Sequence, residues 1–182
     1  MDNSMGAVHE CVVDLFKRVG GELFEPYRLK FDHSTVTEPL LLSDECFMSV
    51  LGASAEGIKI LCYIRFPVKT GEHIYNGDKD MATTENLRDL CGELNNQLVG
   101  KVKNGLLAYQ CRLSLGLPTH LSGKDLAISS VHQASVVVLQ YMSSAGALDV
   151  VVYTIIHDDF SMLDQADNSL VGAVEEGTLA FF

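Results

Sequence analysis

Twice in this chain, two runs of aliphatic, β-branched and aromatic residues flank a short turn. Cys46 to Leu51 (CFMSVL) and Ile58 to Phe66 (IKILCYIRF) stand on either side of GASAEG, Gly52 to Gly57. Ala134 to Tyr141 (ASVVVLQY) and Asp149 to Ile156 (DVVVYTII) stand on either side of a turn at Ser143 to Gly146. Such residues suit a pleated, buried surface, and connections this short join antiparallel neighbours. Two hairpins of this kind commit the chain to an antiparallel sheet whose apolar side needs a cover.

Two helical patterns supply that cover. In residues 6–19, Val8, Val12, Leu15, Phe16 and Val19 recur at helical spacing; Asn3 and Ser4 are candidate caps, and Gly20-Gly21 is the expected stop. A longer helix opens at Thr84-Glu-Asn-Leu and reaches about Leu107. Pro26 and Pro39 bracket an irregular or edge-strand segment. Lys69 to Thr83 reads as a loop. Tyr109 to Leu115 (YQCRLSL) alternates like a strand, stops at Gly116 and Pro118, and leads into a polar loop. The order predicts an α+β fold, a two-layer α/β sandwich with a mostly antiparallel sheet and helices packed on one face. The 182 residues suit one domain spanning 1–182. Its two halves, each a helix followed by a hairpin, hint at an internal duplication. Residues 157–182 form a C-terminal extension with no assigned role, in which DDFSMLDQAD allows a short helix and LAFF is an apolar end.

Charge and cysteine usage exclude several functions. The formal net charge of −11 lacks the basic footprint that duplex binding requires, so no nucleic-acid partner is expected. No apolar run approaches the ~18 residues of a membrane span. The N-terminal MDNSMGAVHECVVDLF carries acids where a secretory signal needs positive charge, which makes a cytoplasmic location the expectation. The five cysteines are scattered without a C-x-x-C pair, so they read as small buried hydrophobes in a reducing compartment. His157-Asp158-Asp159 is a poor metal site, because neighbours on a strand point to opposite faces. No metal site is expected.

The helix at 84–107 is the most informative segment. At ~100° per residue, Glu93, Asn96, Gly100 and Lys103 all fall within about 40° of Asp89. Leu87, Leu90, Cys91, Leu94, Leu98 and Val102 fall on the opposite side, a broad apolar face for the sheet. Glu93 and Asn96 are i, i+3 neighbours on the outer face, within reach of one external ligand. Gly100 on the same stripe leaves a bare patch, at a cost of about 1 kcal/mol relative to alanine in a helix. Cys91 faces the core without a base beside it and is no nucleophile. Asn95 and Gln97 flank the stripe with no assigned role.

Asp89-x3-Glu93-x2-Asn96, then Gly100-Lys101, then Pro118 after the next strand, resembles the CheC/CheX/FliY chemotaxis phosphatases. That family's signature is an Asp or Ser, a Glu four residues on, an Asn three further, and a Pro beyond the following strand. Here 21 residues separate Asn96 from Pro118. GIKILCYIRFP before the helix and RLSLGLP after it match the family's flanking strands, and the resemblance spans about residues 5–156. The first helix carries His9-Glu10 and Asp14 but no Glu-x-x-Asn. One site is therefore expected, as in CheX, where CheC-like proteins often carry two.

The resemblance implies a phosphatase that hydrolyses the aspartyl phosphate of a phosphorylated CheY-like response regulator. Asn96 would position the attacking water and Glu93 would pair with the regulator's phosphate-contacting lysine. Asp89 and Lys103 would add contacts to the partner, Gly100 would give it room, and Pro118 would shape the strand end beside the helix. No cofactor of its own is implied; Mg2+ would be carried by the regulator. CheX relatives form homodimers, so a homodimer is expected. The resemblance also admits a non-catalytic regulator-binding or flagellar-switch-like module of the same fold.

Overall fold

The computed structural model describes residues 3–35, 44–76, 78, 80–126 and 134–169. Helix α1 (Asn3–Phe24) leads through a 3-10 turn into strand β1 (Lys30–Thr35). The hairpin β2 (Cys46–Ala55) and β3 (Ile58–Pro67) follows, then α2 (Val68–Ile74) and the long α3 (Thr84–Leu107). Strands β4 (Ser114–Leu115) and β5 (Thr119–Gly123) precede the second hairpin, β6 (Ser135–Ser143) and β7 (Gly146–Ile156). One antiparallel sheet takes them all, in the order β1-β6-β7-β3-β2, with β4 and β5 both on the free edge of β2.

The two hairpins meet at the centre, where β3 pairs with β7 from Ile58↔Ile156 to Arg65↔Asp149. The strand following each long helix then lies on the outer edge of the other half's hairpin, β1 on β6 and β5 on β2. The likeness of the two halves is thus visible in topology, with their first strands exchanged.

Strand alternation sorts the residues into two faces. Phe47, Leu51 and Ala53 of β2, Ile58 to Phe66 in alternation on β3, and Val137, Leu139, Tyr141, Leu148, Val150 and Val152 form the main core. Helices α1 and α3 lie on that face, as the α+β expectation requires. The opposite face carries a smaller buried cluster of Met48, Tyr63, Val138, Val151 and Tyr153. Beside it, the buried Arg65 guanidinium contacts Asp149 Oδ2 at 2.9–3.0 Å, and Gln140 donates to Asp149 Oδ1 at 2.8 Å. No helix among the described residues is long and apolar enough to cross a membrane.

Several boundaries differ from the sequence expectation, each for a physical reason. Helix α1 does not stop at Gly20-Gly21 but runs on to Phe24, because Phe24 is buried edge-on against Tyr141 at 4.8 Å between ring centroids. Gly20 makes room for Tyr141, whose hydroxyl donates to the Lys17 carbonyl at 3.2 Å. The six-residue turn at 52–57 shrinks to Glu56-Gly57, since β2 stays paired through Ala55↔Ile58 and Gly57 supplies φ 77°.

Lys69 to Thr83 is not all loop: α2 forms there, buried through Thr70, Gly71 and Ile74, and Thr70 Oγ1 donates to Ala147 O at 3.2 Å. Of Tyr109 to Leu115, only Ser114 and Leu115 pair as a strand. Gln110 takes a left-handed φ of 63° that ends the helical run, while Cys111 and Leu113 bury without a partner strand. The polar stretch after Pro118 is instead β5.

The described part of the C-terminal extension is not helical over 158–167. It crosses the body as an irregular strap, with Leu163 N–H donating to Tyr109 O and Asp167 N–H to Ala108 O. LAFF lies outside the described residues.

Two helical glycines make opposite stability predictions. Gly20→Ala gains helix propensity of about 1 kcal/mol, yet its Cβ would strike the buried Tyr141 ring, and overpacking costs about 1–3 kcal/mol. At Gly100 a Cβ meets nothing within 4 Å. In urea denaturation, Gly20→Ala should lower the midpoint and Gly100→Ala should raise it.

Candidate functional site

Helix α3 begins where Thr83 caps it, its hydroxyl accepting from the Asn86 N–H at 3.2 Å, with Glu85 in the positive first turn. Asn86 Nδ2 donates to Met81 O at 2.7 Å, and the Tyr75 hydroxyl donates to Asn86 O at 3.3 Å. The start of the helix is therefore tied to the segment before it. Leu87, Cys91, Leu94, Leu98, Val102 and Leu106 are buried against the sheet, and Leu90 is half-buried at the edge of that face. Burial pushes the Cys91 thiol far above its ordinary range, and its Sγ lies 3.6 Å from the Ile64 carbonyl, so it is an inert core residue.

The opposite face is the stripe expected from spacing. Asp89, Glu93 and Asn96 are exposed, and Gly100 and Lys103 are partly so. Glu93 is braced along the helix by Gln97, whose Nε2 donates to Glu93 Oε1 at 2.6 Å. Asp89 lies near Tyr75, whose phenol is raised first by burial and then by the Asp89 charge. A residue without an assigned role in the sequence, Gln97, thus holds the carboxylate.

Asn95 proves to be the most buried polar residue of the helix. Its Nδ2 donates to the Ser49 carbonyl at 2.8 Å and to Ser49 Oγ at 3.3 Å, and approaches the Cys62 carbonyl at 3.5 Å. Two carbonyls on neighbouring strands require the NH2 end of the amide there. Its Oδ1 is buried and has no hydrogen-bond partner among the described residues. The two adjacent asparagines therefore divide their work. Asn95 pins the helix inward, and Asn96, 100° around the axis, faces out.

Strand β5 flanks the stripe. Arg88 donates to Ser122 Oγ at 3.2 Å, and the His120 ring covers Gly92 so closely that a Cβ there would collide with it. These contacts advance together, four helical residues for two strand residues, steps of about 6 and 6.8 Å. Pro118 immediately precedes β5, in the irregular segment between β4 and β5. Pro118 is exposed and touches neither Glu93 nor Asn96 in any hydrogen bond. Sequence reasoning singled out Gly100 and passed over Gly92, although a glycine in mid-helix was the signal available for both.

Three comparisons bear on this arrangement. The family model described as chemotaxis phosphatase CheX matches residues 50–142, which is 93 of the 182 residues. No curated protein matches the chain in sequence. Among solved structures, the chain is similar to the chemotaxis protein CheX of Vibrio vulnificus, with a TM-score of 0.68 at 16% identity, over 79% of this chain and 98% of that one. A CheC-like superfamily protein from Shewanella sp. PV-4 gives 0.69 at 20% identity, over 79% and 97%. A CheX–CheY–BeF3–Mg2+ complex from Borrelia burgdorferi gives 0.61 at 10%, over 79% and 97%. At these identities the structural likeness establishes the fold.

The two asparagines predict opposite behaviour on truncation. Asn95→Ala strips the Ser49 carbonyl of its donor inside the core and should cost about 1–3 kcal/mol in urea denaturation. Asn96→Ala removes an exposed side chain and should stay within about 0.5 kcal/mol of wild type.

Proposed function

The chain belongs to the CheX family of chemotaxis phosphatases, and we propose that it hydrolyses the aspartyl phosphate of a CheY-type response regulator by presenting Glu93 and Asn96 from α3. The observation that carries this reading is the shared exposure of those two side chains on a helix whose other face is fixed in the core. The solved complex of a protein of this fold with CheY, beryllofluoride and Mg2+ supports the choice of partner.

The chemistry asks little of the protein. An acyl phosphate already has a good leaving group, a carboxylate that departs unprotonated near neutral pH. What is required is a water held in line with phosphorus, opposite the P–O bond that breaks. The water oxygen bonds to phosphorus, the aspartyl carboxylate leaves, and inorganic phosphate is the product. A primary amide suits the positioning task, because its carbonyl accepts from the water while its NH2 donates to a neighbouring acceptor. Asn96 is an exposed amide between Asp89 and Gly100 on the stripe, whereas the neighbouring Gln97 amide is engaged with Glu93.

Glu93 anchors. Its carboxylate pairs with a cation beside the regulator's phosphorylated site, and the hydrogen bond from Gln97 limits its freedom before the partner arrives. Asp89 and Lys103 extend the contact along the helix. Gly100, open above its Cα, lets the partner backbone approach. Pro118, at the head of β5, shapes the rim. The metal that assists phosphoryl transfer belongs to the regulator in this reading, and the chain contributes none.

Phosphate release from an aspartyl-phosphorylated CheY-type regulator tests the proposal. Asn96→Ala should reduce the accelerated rate roughly 100-fold while still binding regulator loaded with beryllofluoride. An unchanged rate would refute the role of Asn96. Glu93→Ala should instead raise the half-saturating regulator concentration about tenfold or more. A wild-type protein that binds without accelerating release would mark a flagellar-switch-like binding module instead. Gly100→Ala, although stabilising, should weaken the complex; equal affinity would remove Gly100 from the interface.

A further inference from the structure

His120 lies against the same helix as Glu93 and Asn96. It is the second residue of β5, and its ring occupies the place a side chain at Gly92 would take. A Cβ built on Gly92 would meet Cε1 first, then Nδ1 at 2.9 Å and Nε2 at 3.2 Å. The Cε1 edge therefore points at the helix, and the two nitrogens lie to either side of it. Neither nitrogen makes a hydrogen bond with any described residue, and the residue as a whole is exposed.

Its position relative to the stripe follows from helix geometry. Gly92 immediately precedes Glu93 and lies one turn before Asn96, about 40° and 6 Å away. The imidazole thus covers the helix position one turn before Asn96, on the flank where β5 lies. Arg88, whose guanidinium donates to Ser122 Oγ, holds the same strand in place one turn earlier. The stripe itself is rich in acceptors, with Asp89 and Glu93, whereas a phosphoryl group carries close to two negative charges and needs donors. An imidazole has at least one N–H in either protonation state.

We propose that His120 is a third side chain of the site, donating an imidazole N–H to a phosphoryl oxygen of the partner's aspartyl phosphate. Gly92 is then glycine because the ring must lie low over the helix to reach the spot that Asn96 faces. The inference rests on the phosphatase reading above and names a contact that reading does not use.

The test separates contact from packing. His120→Phe keeps a planar ring over Gly92 without an N–H, and His120→Gln keeps an N–H donor without the ring. Affinities are measured for a CheY-type regulator with and without beryllofluoride and Mg2+, alongside the rate of phosphate release. His120→Phe should weaken binding of the loaded regulator roughly tenfold, the scale of one hydrogen bond to a charged group. It should slow release by a similar factor, leaving the unloaded affinity and the urea midpoint unchanged. His120→Gln should recover most of both losses. Wild-type behaviour in His120→Phe, or equal losses with loaded and unloaded regulator, would overturn the proposal. So would a wild-type protein with no preference for the loaded form. If Asn96→Ala leaves the rate intact, the water-positioning mechanism fails, while the loaded-against-unloaded comparison still decides His120.

Discussion

The inner face of α3 governs what its outer face can present. Burying a leucine or valine side chain is worth about 1.5–3 kcal/mol, and Leu87, Leu94, Leu98, Val102 and Leu106 are all committed to the sheet. Apolar contact is non-directional, however, and would tolerate some rotation of the helix about its axis. Asn95 removes that freedom. Its amide must meet carbonyls on both β2 and β3, and a slip of one residue would swing it about 100° away. Since Asn96 follows it directly, the hydrogen bonds that fix Asn95 also fix the direction in which Asn96 points.

That coupling explains why the stripe was legible in the sequence while its supports were not. Helical periodicity separates inward from outward positions, and it placed Asp89, Glu93, Asn96, Gly100 and Lys103 correctly on one side. Periodicity does not distinguish a buried asparagine at the margin of the apolar face from an exposed one. Asn95 lies beside the apolar residues on the helical wheel, yet nothing in its polarity marks it for burial, and the sequence leaves it without a role. Only the backbone carbonyls waiting on β2 and β3 decide the matter, and these belong to residues 33 to 46 positions earlier in the chain. The Gln97 brace on Glu93 is an i, i+4 pair and was accessible in principle from spacing.

The fold divides along the same line. The hairpins β2–β3 and β6–β7 were readable because both of their faces are largely buried, so nearly every residue is apolar. Strand β5 was not, because it is an edge strand over an exposed rim and its sequence, THLSG, shows no apolar face. Helix α2 was hidden for a related reason: it buries Thr70 and Gly71, which carry no apolar signal. The end of α1 was misread because glycine signals a stop locally, while the close approach of Tyr141 requires glycine in a continuing helix. In each case a tertiary contact overrides a local preference.

The position of the proposed site bears on the kind of substrate it would take. The chain has hollows: one of about 360 Å³ lined by Gly52, Ile60, Leu61 and Tyr153, and another of about 400 Å³ between α1, Tyr109 and Asp164. Neither is lined by Asp89, Glu93 or Asn96. An enzyme for a small free substrate would need its polar groups to converge in such a concavity, where most of the ligand surface can be buried. A substrate that is a side chain on another protein brings its own walls, its own metal and its own exclusion of water. What it lacks is a rigid projection that enters its cleft and holds one water in line. In the proposed reading, a braced carboxylate and an exposed amide one turn apart, on a helix whose other face is fixed in the core, would meet that need.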